Sequence, residues 1–391
     1  EWRRWFHQNP ELSNREFNTS ARIAEILRGM GLEPRTGIAH TGVTAIIEGG
    51  LPGPLVAIRT DIDALPVVEQ TGLPFASTAR SEYNGQDVGV MHACGHDAHM
   101  SMVLGAAKIL NDMKAELPGS VMLIVQPAEE GPPAGEDGGA SMMLDEGIFA
   151  DRMPAAVFGM HEGISVPGGQ FAIKPGPMMA ASDSFKISVK GKQTHGARPW
   201  DGVDPVVVSS QIVLGLQTIA SRQVDVTLAP SIISIGRITG GIRYNVIPDK
   251  VEMEGTIRSF DPAMREYIHE AVDRTATLIA QSAGAEAEVE IYQGPPAVQN
   301  NAELTSLVMP ALERASGHPA HTIQPQTVAE DFSEYGMVTP TVFVFLGNWP
   351  ADLDPTTQPT NHSPYFDMHE PYLETGVKAF SHMVVDYLNA Q

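Results

Sequence analysis

Four short runs of this chain are almost wholly apolar: Leu55–Ile58, Val121–Val125, Ala155–Met160 and Thr341–Leu346. A strand with apolar residues on both faces has to be covered on both, as in parallel sheets. Helical patterns separate these runs, and that alternation predicts an α/β fold, a mainly parallel sheet with helices on both faces. Three of the runs lead straight into polar clusters: Arg59-Thr60-Asp61-Ile62-Asp63, Gln126-Pro127-Ala128-Glu129-Glu130 and His161-Glu162. In such a sheet, polar groups gather in the crevice outside the carboxyl ends of the strands. The clusters are therefore expected to converge in space, and His362 beyond the fourth run is expected to join them.

The texture changes between Ser182 and Gln293. Phe185, Ile187 and Val189 alternate with polar residues, as in a half-exposed strand. Asp204-Pro205 and Asp261-Pro262 each open a helix, with the cap residue followed by proline at the first turn. With strands at Ser231–Ile238, Val251–Ile257 and Ala287–Tyr292, the order is strand-helix-strand-strand-helix-strand, that of a ferredoxin-like module. The expected organisation is a catalytic, metal-binding domain over 1–181 and 294–391, interrupted by an inserted α+β domain over 182–293. Helices are expected over 302–316 and 370–389. Near the start, Thr19 or Ser20 is expected to cap a helix over Ala21 to Met30.

Composition narrows the partners. The formal net charge is −22, which argues against nucleic acid or an anionic membrane surface. No apolar run approaches the roughly 18 residues that span a bilayer. A single cysteine excludes an internal disulfide framework. The expected compartment is the cytoplasm, with a periplasmic or secreted location open because the sequence starts at Glu1 and a leader could precede it.

That cysteine lies in Met91-His92-Ala93-Cys94-Gly95-His96-Asp97-Ala98-His99, which also holds three of the thirteen histidines. A lone cysteine is by default a small buried hydrophobe. Here a thiolate and an imidazole stand two residues apart, soft and borderline ligands at a chelating spacing. Two residues turn a helix by about 200°, so they meet only in an irregular turn. The periodicity of Ala98 to Leu110 predicts a helix just after that turn.

Glu129-Glu130 closes a buried strand, where two adjacent carboxylates repel each other. Near a cation, one can bind it while the other takes a proton from water. Asp61 and Asp63 are turn aspartates by default, or orient a ligand from behind. His161 and His362, added to Cys94, His96 and Glu130, make five donors. That is too many for one tetrahedral catalytic zinc with an open position, and it suits two cations with Cys94 or Glu130 near both. In the inserted domain, His195 is either an exposed loop histidine or a donor to an oxyanion. Asn245 and Arg258 are candidates to hold a carboxylate, an arginine fork suiting that group.

In sequence, the motifs DIDALP (61–66), MHACGHDAH (91–99), QPAEE (126–130), GMHEG (159–163), THGARP (194–199), NVIPD (245–249), GTIRS (255–259), AEDFS (329–333) and HSPYFD (362–367) resemble the M20 metallopeptidases. They are most similar to the amidohydrolase branch of hippurate hydrolases, aminoacylases and auxin-conjugate hydrolases. The resemblance implies a binuclear site held by Cys94, His96, Glu130, His161 and His362. It implies Glu129 as general base and then proton donor to the leaving amine, with Asp63 as the helper aspartate. It implies two divalent ions, manganese or zinc, with cobalt or nickel also used in similar enzymes. It further implies a homodimer formed through the inserted domain, with His195 serving the partner's active site. The branch often has histidine where this chain has Trp200. The expected substrate is a small N-acyl amino acid, cleaved at the amide to a carboxylate and a free amino acid. The alternative is a dipeptidase or carboxypeptidase using the same site.

Overall fold

A computed structural model describes residues 1–391 apart from Ile164 and Pro355, and the chain divides into two compact units. The first comprises Glu1–Gly176, Gln299–Gln324 and Glu334–Gln391. Its main sheet has seven strands among the described residues. Pro118–Gln126, Leu51–Asp61, Val157–Gly168 and Thr341–Gly347 lie side by side and parallel, in that order. Antiparallel strands finish both sides: Gly42–Glu48 and Arg35–Ile38 beyond the first, Phe171–Ala172 beyond the last.

Leu55, Val56, Ala57 and Ile58 are all buried. Since successive residues of a strand point to opposite faces, both faces of the sheet are covered. The covering comes from helices that include Phe17–Gly29, His96–Asp112, Ala302–Ser316 and Leu373–Asn389, whose apolar residues share one core with the strands.

Two local expectations need correction. The first long helix starts at Phe17, so Thr19 and Ser20 are buried in its first turn and do not cap it. The Glu11 carboxylate does that work, accepting from the Asn18 and Thr19 amides at 3.2 and 2.8 Å. The third apolar run also does not end at Met160. The strand continues to Gly168 and carries His161 and Glu162 within it.

The second unit comprises Pro177–Val298 and Pro325–Ser333, wider than the 182–293 expected from the alternation. Its four-stranded antiparallel sheet runs Ser231–Gly240, Lys250–Ser259, Ala181–Lys190, Glu286–Gln293. Helices Pro205–Thr218 and Pro262–Ser282 pack on it, and the caps are as expected. Asp204 accepts from the Val206 and Val207 amides, and Asp261 from the Met264 amide. Among the described residues, no helix is long and apolar enough to cross a membrane.

Candidate metal centre

The Cys-Gly-His turn is built around Gly95. This residue is the N-cap of the helix His96–Asp112 and has φ +89°, a left-handed conformation that favours glycine. A Cβ there would come within 2.7 Å of Glu162 Cγ. The turn therefore sits directly against the strand carrying His161 and Glu162. Ala128 and His362 also hold positive φ, 53° and 66°. Such strain persists where the surroundings over-determine it, often at functional sites. At Ala128 the amide donates to Glu16, and at His362 to the carbonyl of Ala93.

Donor atoms meet in overlapping groups of three, each within 4.8 Å of one another. Cys94, His96 and His161 form one group; Cys94, Glu130 and His362 form another; His96, Glu129 and Glu130 form a third. The five donors expected from sequence are thus brought together, and Cys94 is common to the first two groups. The Cys94 Sγ lies 3.4 Å from His161 Nε2, and His362 Nε2 lies 3.1 Å from Glu130 Oε1.

The remaining hydrogen bonds orient the rings. His96 Nδ1 donates to the main-chain carbonyl of Asp63 at 2.8 Å, which turns Nε2 inward, where that buried nitrogen has no hydrogen-bond partner. His161 Nδ1 likewise donates to the Glu162 carbonyl at 2.8 Å, leaving Nε2 toward Cys94. Burial pushes His161 well below the usual imidazole range, and His99 and His96 push it the same way. At His96 burial also works against the charge, but Asp61, Asp63 and Glu130 outweigh it and push the pKa up to about 10, so a cation bound there would take the place of the proton on Nε2.

Asp63 is fully buried and accepts at one carboxylate oxygen from Ser13 Oγ (2.7 Å) and from the Glu130 amide (3.0 Å). It thereby fixes the backbone of Glu130. Asp61 pairs with Arg59 at 2.7 Å and with His99 Nδ1 at 2.8 Å. Burial raises its pKa, but His96, His99 and Arg59 outweigh that and hold it well below the usual carboxylate range.

The electrostatics call for positive charge. Burial pushes the Cys94 thiol well up, and Glu130, Glu129 and Glu162 add to it. Burial, with Asp97 and Asp61 adding to it, pushes Glu162 up to about 8 against the lowering effects of Asn361 and His96. A thiol, two imidazoles with Nε2 turned inward and carboxylates crowded in a buried corner fit borderline divalent cations.

In the second unit, His195 lies exposed on Thr194–His195, which pairs with Val246–Ile247. Its Nδ1 accepts from the Ala197 amide at 3.0 Å, so Nε2 carries the proton. The carbonyl of Asn245 accepts from the Gly196 amide, and its side-chain Oδ1 is buried without a partner. Arg258 stands on the strand Lys250–Ser259, half-buried, with Nη1 donating to Ser182 Oγ and to the Ile257 carbonyl.

The sequence profile of peptidase family M20/M25/M40 matches residues 57–386. The chain belongs to this family.

Several M20 relatives cover nearly all of it. N-acetyl-L-cysteine deacetylase of Bacillus subtilis is 40% identical over 345 residues, 88% of this chain and 79% of its own. Thermostable carboxypeptidase 1 of Saccharolobus solfataricus is 40% identical over 389 residues, 99% and 94% of the two chains. Among solved structures, the Bacillus subtilis YXEP protein, a dinuclear metal binding peptidase from the M20 family, superposes with a TM-score of 0.84 at 36% identity. The match covers 100% of this chain and 97% of that one.

Within this M20 site, sequence reasoning passed over Glu162, Asn361 and His99. Asn361 Nδ2 donates to Glu162 Oε1 and lies 3.6 Å from the Cys94 sulfur. Adjacency to His161 and His362 was the available signal for Glu162 and Asn361. For His99 there was none beyond the shared MHACGHDAH stretch.

Proposed function

We propose that this M20 hydrolase is a metal-dependent amidohydrolase that cleaves the amide of an N-acyl amino acid to a carboxylate and a free amino acid. The observation that carries this reading is the pair of donor groups sharing Cys94, with the unpartnered His96 Nε2 aimed into them. Cys94, His96, His161, Glu130 and His362 are the proposed ligands of two divalent cations, manganese or zinc, with cobalt or nickel as the alternatives. Bound there, the cations supply Lewis acidity to the acyl carbonyl and to the attacking water.

Glu129 is the proposed general base, taking the water proton and returning it to the leaving amine. Asp63 is the proposed helper, holding the His96 ring and the Glu130 backbone in position. His195, with its proton on Nε2, is proposed to donate to the oxyanion. Asn245 and Arg258 are proposed to bind the amino acid carboxylate, for which the guanidinium is the suitable charge. We also assign the inserted unit a role as lid and dimerisation domain. Exposed apolar residues Val207, Leu214 and Ile238 support that role, and light scattering in solution tests it.

A carboxypeptidase or dipeptidase activity is the second reading, favoured by the 40% identity to thermostable carboxypeptidase 1. Hydrolysis of N-acetyl and N-benzoyl amino acids is to be compared with that of dipeptides, with Mn²⁺, Zn²⁺ and Co²⁺ added in turn. Faster turnover of the acyl amino acids is expected; turnover of dipeptides alone overturns the first reading in favour of the second.

A further inference from the structure

Behind the donor cluster lies a buried ion network that none of the roles above uses. Arg3, on the short helix Trp2–Gln8, is buried, and its guanidinium reaches three carboxylates. Its Nε donates to Asp97 Oδ2 at 2.7 Å, its Nη2 to Asp367 Oδ1 at 2.6 Å, and its Nη1 to Glu370 Oε1 at 3.5 Å. Asp97 is the residue next to His96, in the first turn of the helix that follows the Cys-Gly-His turn. Asp367 lies five positions beyond His362. One guanidinium thus joins the segment carrying Cys94 and His96 to the segment carrying His362, across sequence separations of 94 and 364 residues.

Other groups hold the same point. His7 Nδ1 donates to Asp97 Oδ2 at 2.8 Å, and His7 Nε2 bridges to Glu69 at 3.0 Å. Arg3 Cζ lies over the Phe75 ring at 5.1 Å, and the Arg3–Asp97 pair is buried at both ends. A planar five-donor cation suits this task in a way a lysine does not. It can address separate carboxylates in fixed directions at once.

We propose that Arg3 is a buckle, a positioning residue that holds the Cys94–His96 turn and the His362 segment in mutual register for cation binding. The proposal rests on the ligand set assigned above. Ligands on independently anchored segments lose more freedom when they close on an ion, so loosening the anchor lowers affinity. Partners hydrogen-bonded directly to a metal ligand typically change metal affinity about 10- to 100-fold; Arg3 acts one residue further back, through Asp97 and Asp367, so the lower end of that range is expected.

The test uses the full chain loaded with Mn²⁺ or Zn²⁺, challenged with graded EDTA, the ions remaining per chain being counted by mass spectrometry. Arg3→Lys and Asp367→Asn are each expected to release ions at EDTA concentrations at least tenfold below wild type, with excess metal restoring occupancy. Asp367 is 30% exposed, so Asp367→Asn decides the matter if Arg3→Lys does not fold. Variants with wild-type circular dichroism that hold ions to the wild-type EDTA concentration overturn the buckle, even if their Tm falls. Wild-type protein that takes up no ion overturns the proposed function and the buckle together.

Discussion

The amide of Glu162 donates a hydrogen bond to Nε2 of His99, at 3.1 Å. That bond leaves the His99 proton on Nδ1, where it is given to Asp61 at 2.8 Å. Asp61, His96 and His99 also bring donor atoms within 4.8 Å of one another. Both nitrogens of His99 are nevertheless engaged, and His96 Nδ1 is given to the Asp63 carbonyl. This second cluster is a support for the first and not a rival site.

Replacing His99 and His161 should therefore separate. His99→Gln is expected to keep the wild-type number of ions per chain while losing on the order of 1–3 kcal/mol of stability, the usual cost of unpairing a buried polar group. His161→Gln is expected to lose bound metal. Metal counting and thermal unfolding of both variants check the contrast; loss of an ion in His99→Gln contradicts it.

Glu129→Gln keeps the size of the side chain and removes the base. Turnover of an N-acyl amino acid should fall by about 10²- to 10⁴-fold, the range for general acid–base catalysis, while the metal content stays at the wild-type level. Steady-state kinetics on protein of known metal content measures this, and full activity in the mutant refutes the assigned base.

His7 predicts a pH dependence of stability. Burial works against its charge, but Asp97 and Glu69 outweigh that and push its pKa from 6.5 up to about 9. A folded value above the unfolded one means the contribution is complete below about pH 6.5 and is lost as pH rises to about 9. The difference amounts to roughly 3 kcal/mol. Urea unfolding of wild type should show this decline between those pH values, and His7→Asn should flatten it.

Gly95→Ala imposes a left-handed conformation on an L residue, costing about 1–2 kcal/mol, and drives a Cβ to 2.7 Å from Glu162 Cγ. Lower stability is expected together with weaker metal retention, because the turn carrying Cys94 and His96 must shift. A variant that unfolds at a lower temperature yet keeps its ions to the wild-type EDTA concentration shows that the turn tolerates the methyl group.

The four buried parallel strands, the helices His96–Asp112, Pro205–Thr218, Pro262–Ser282, Ala302–Ser316 and Leu373–Asn389, and the capping aspartates Asp204 and Asp261 were legible in sequence because periodicity and capping are interactions among near neighbours; the short helix Gly139–Asp145 was not. Convergence of Cys94, His96, Glu130, His161 and His362 was legible too, since a parallel sheet delivers its strand ends to one edge. Glu11 capping the helix at Phe17 was not, because its bonds from the Asn18 and Thr19 amides depend on a loop folding back from outside the helix. Nor could local pattern separate His96, whose Nε2 makes no hydrogen bond, from His99, whose two nitrogens are spent on Asp61 and Glu162. Composition and spacing thus determined which groups this chain can bring to its site. Only the tertiary structure decided which ring nitrogen faces it and that Arg3 clasps two of the segments that build it. Hydrogen-bond direction depends on atoms placed by strand order, across separations where sequence periodicity carries no signal.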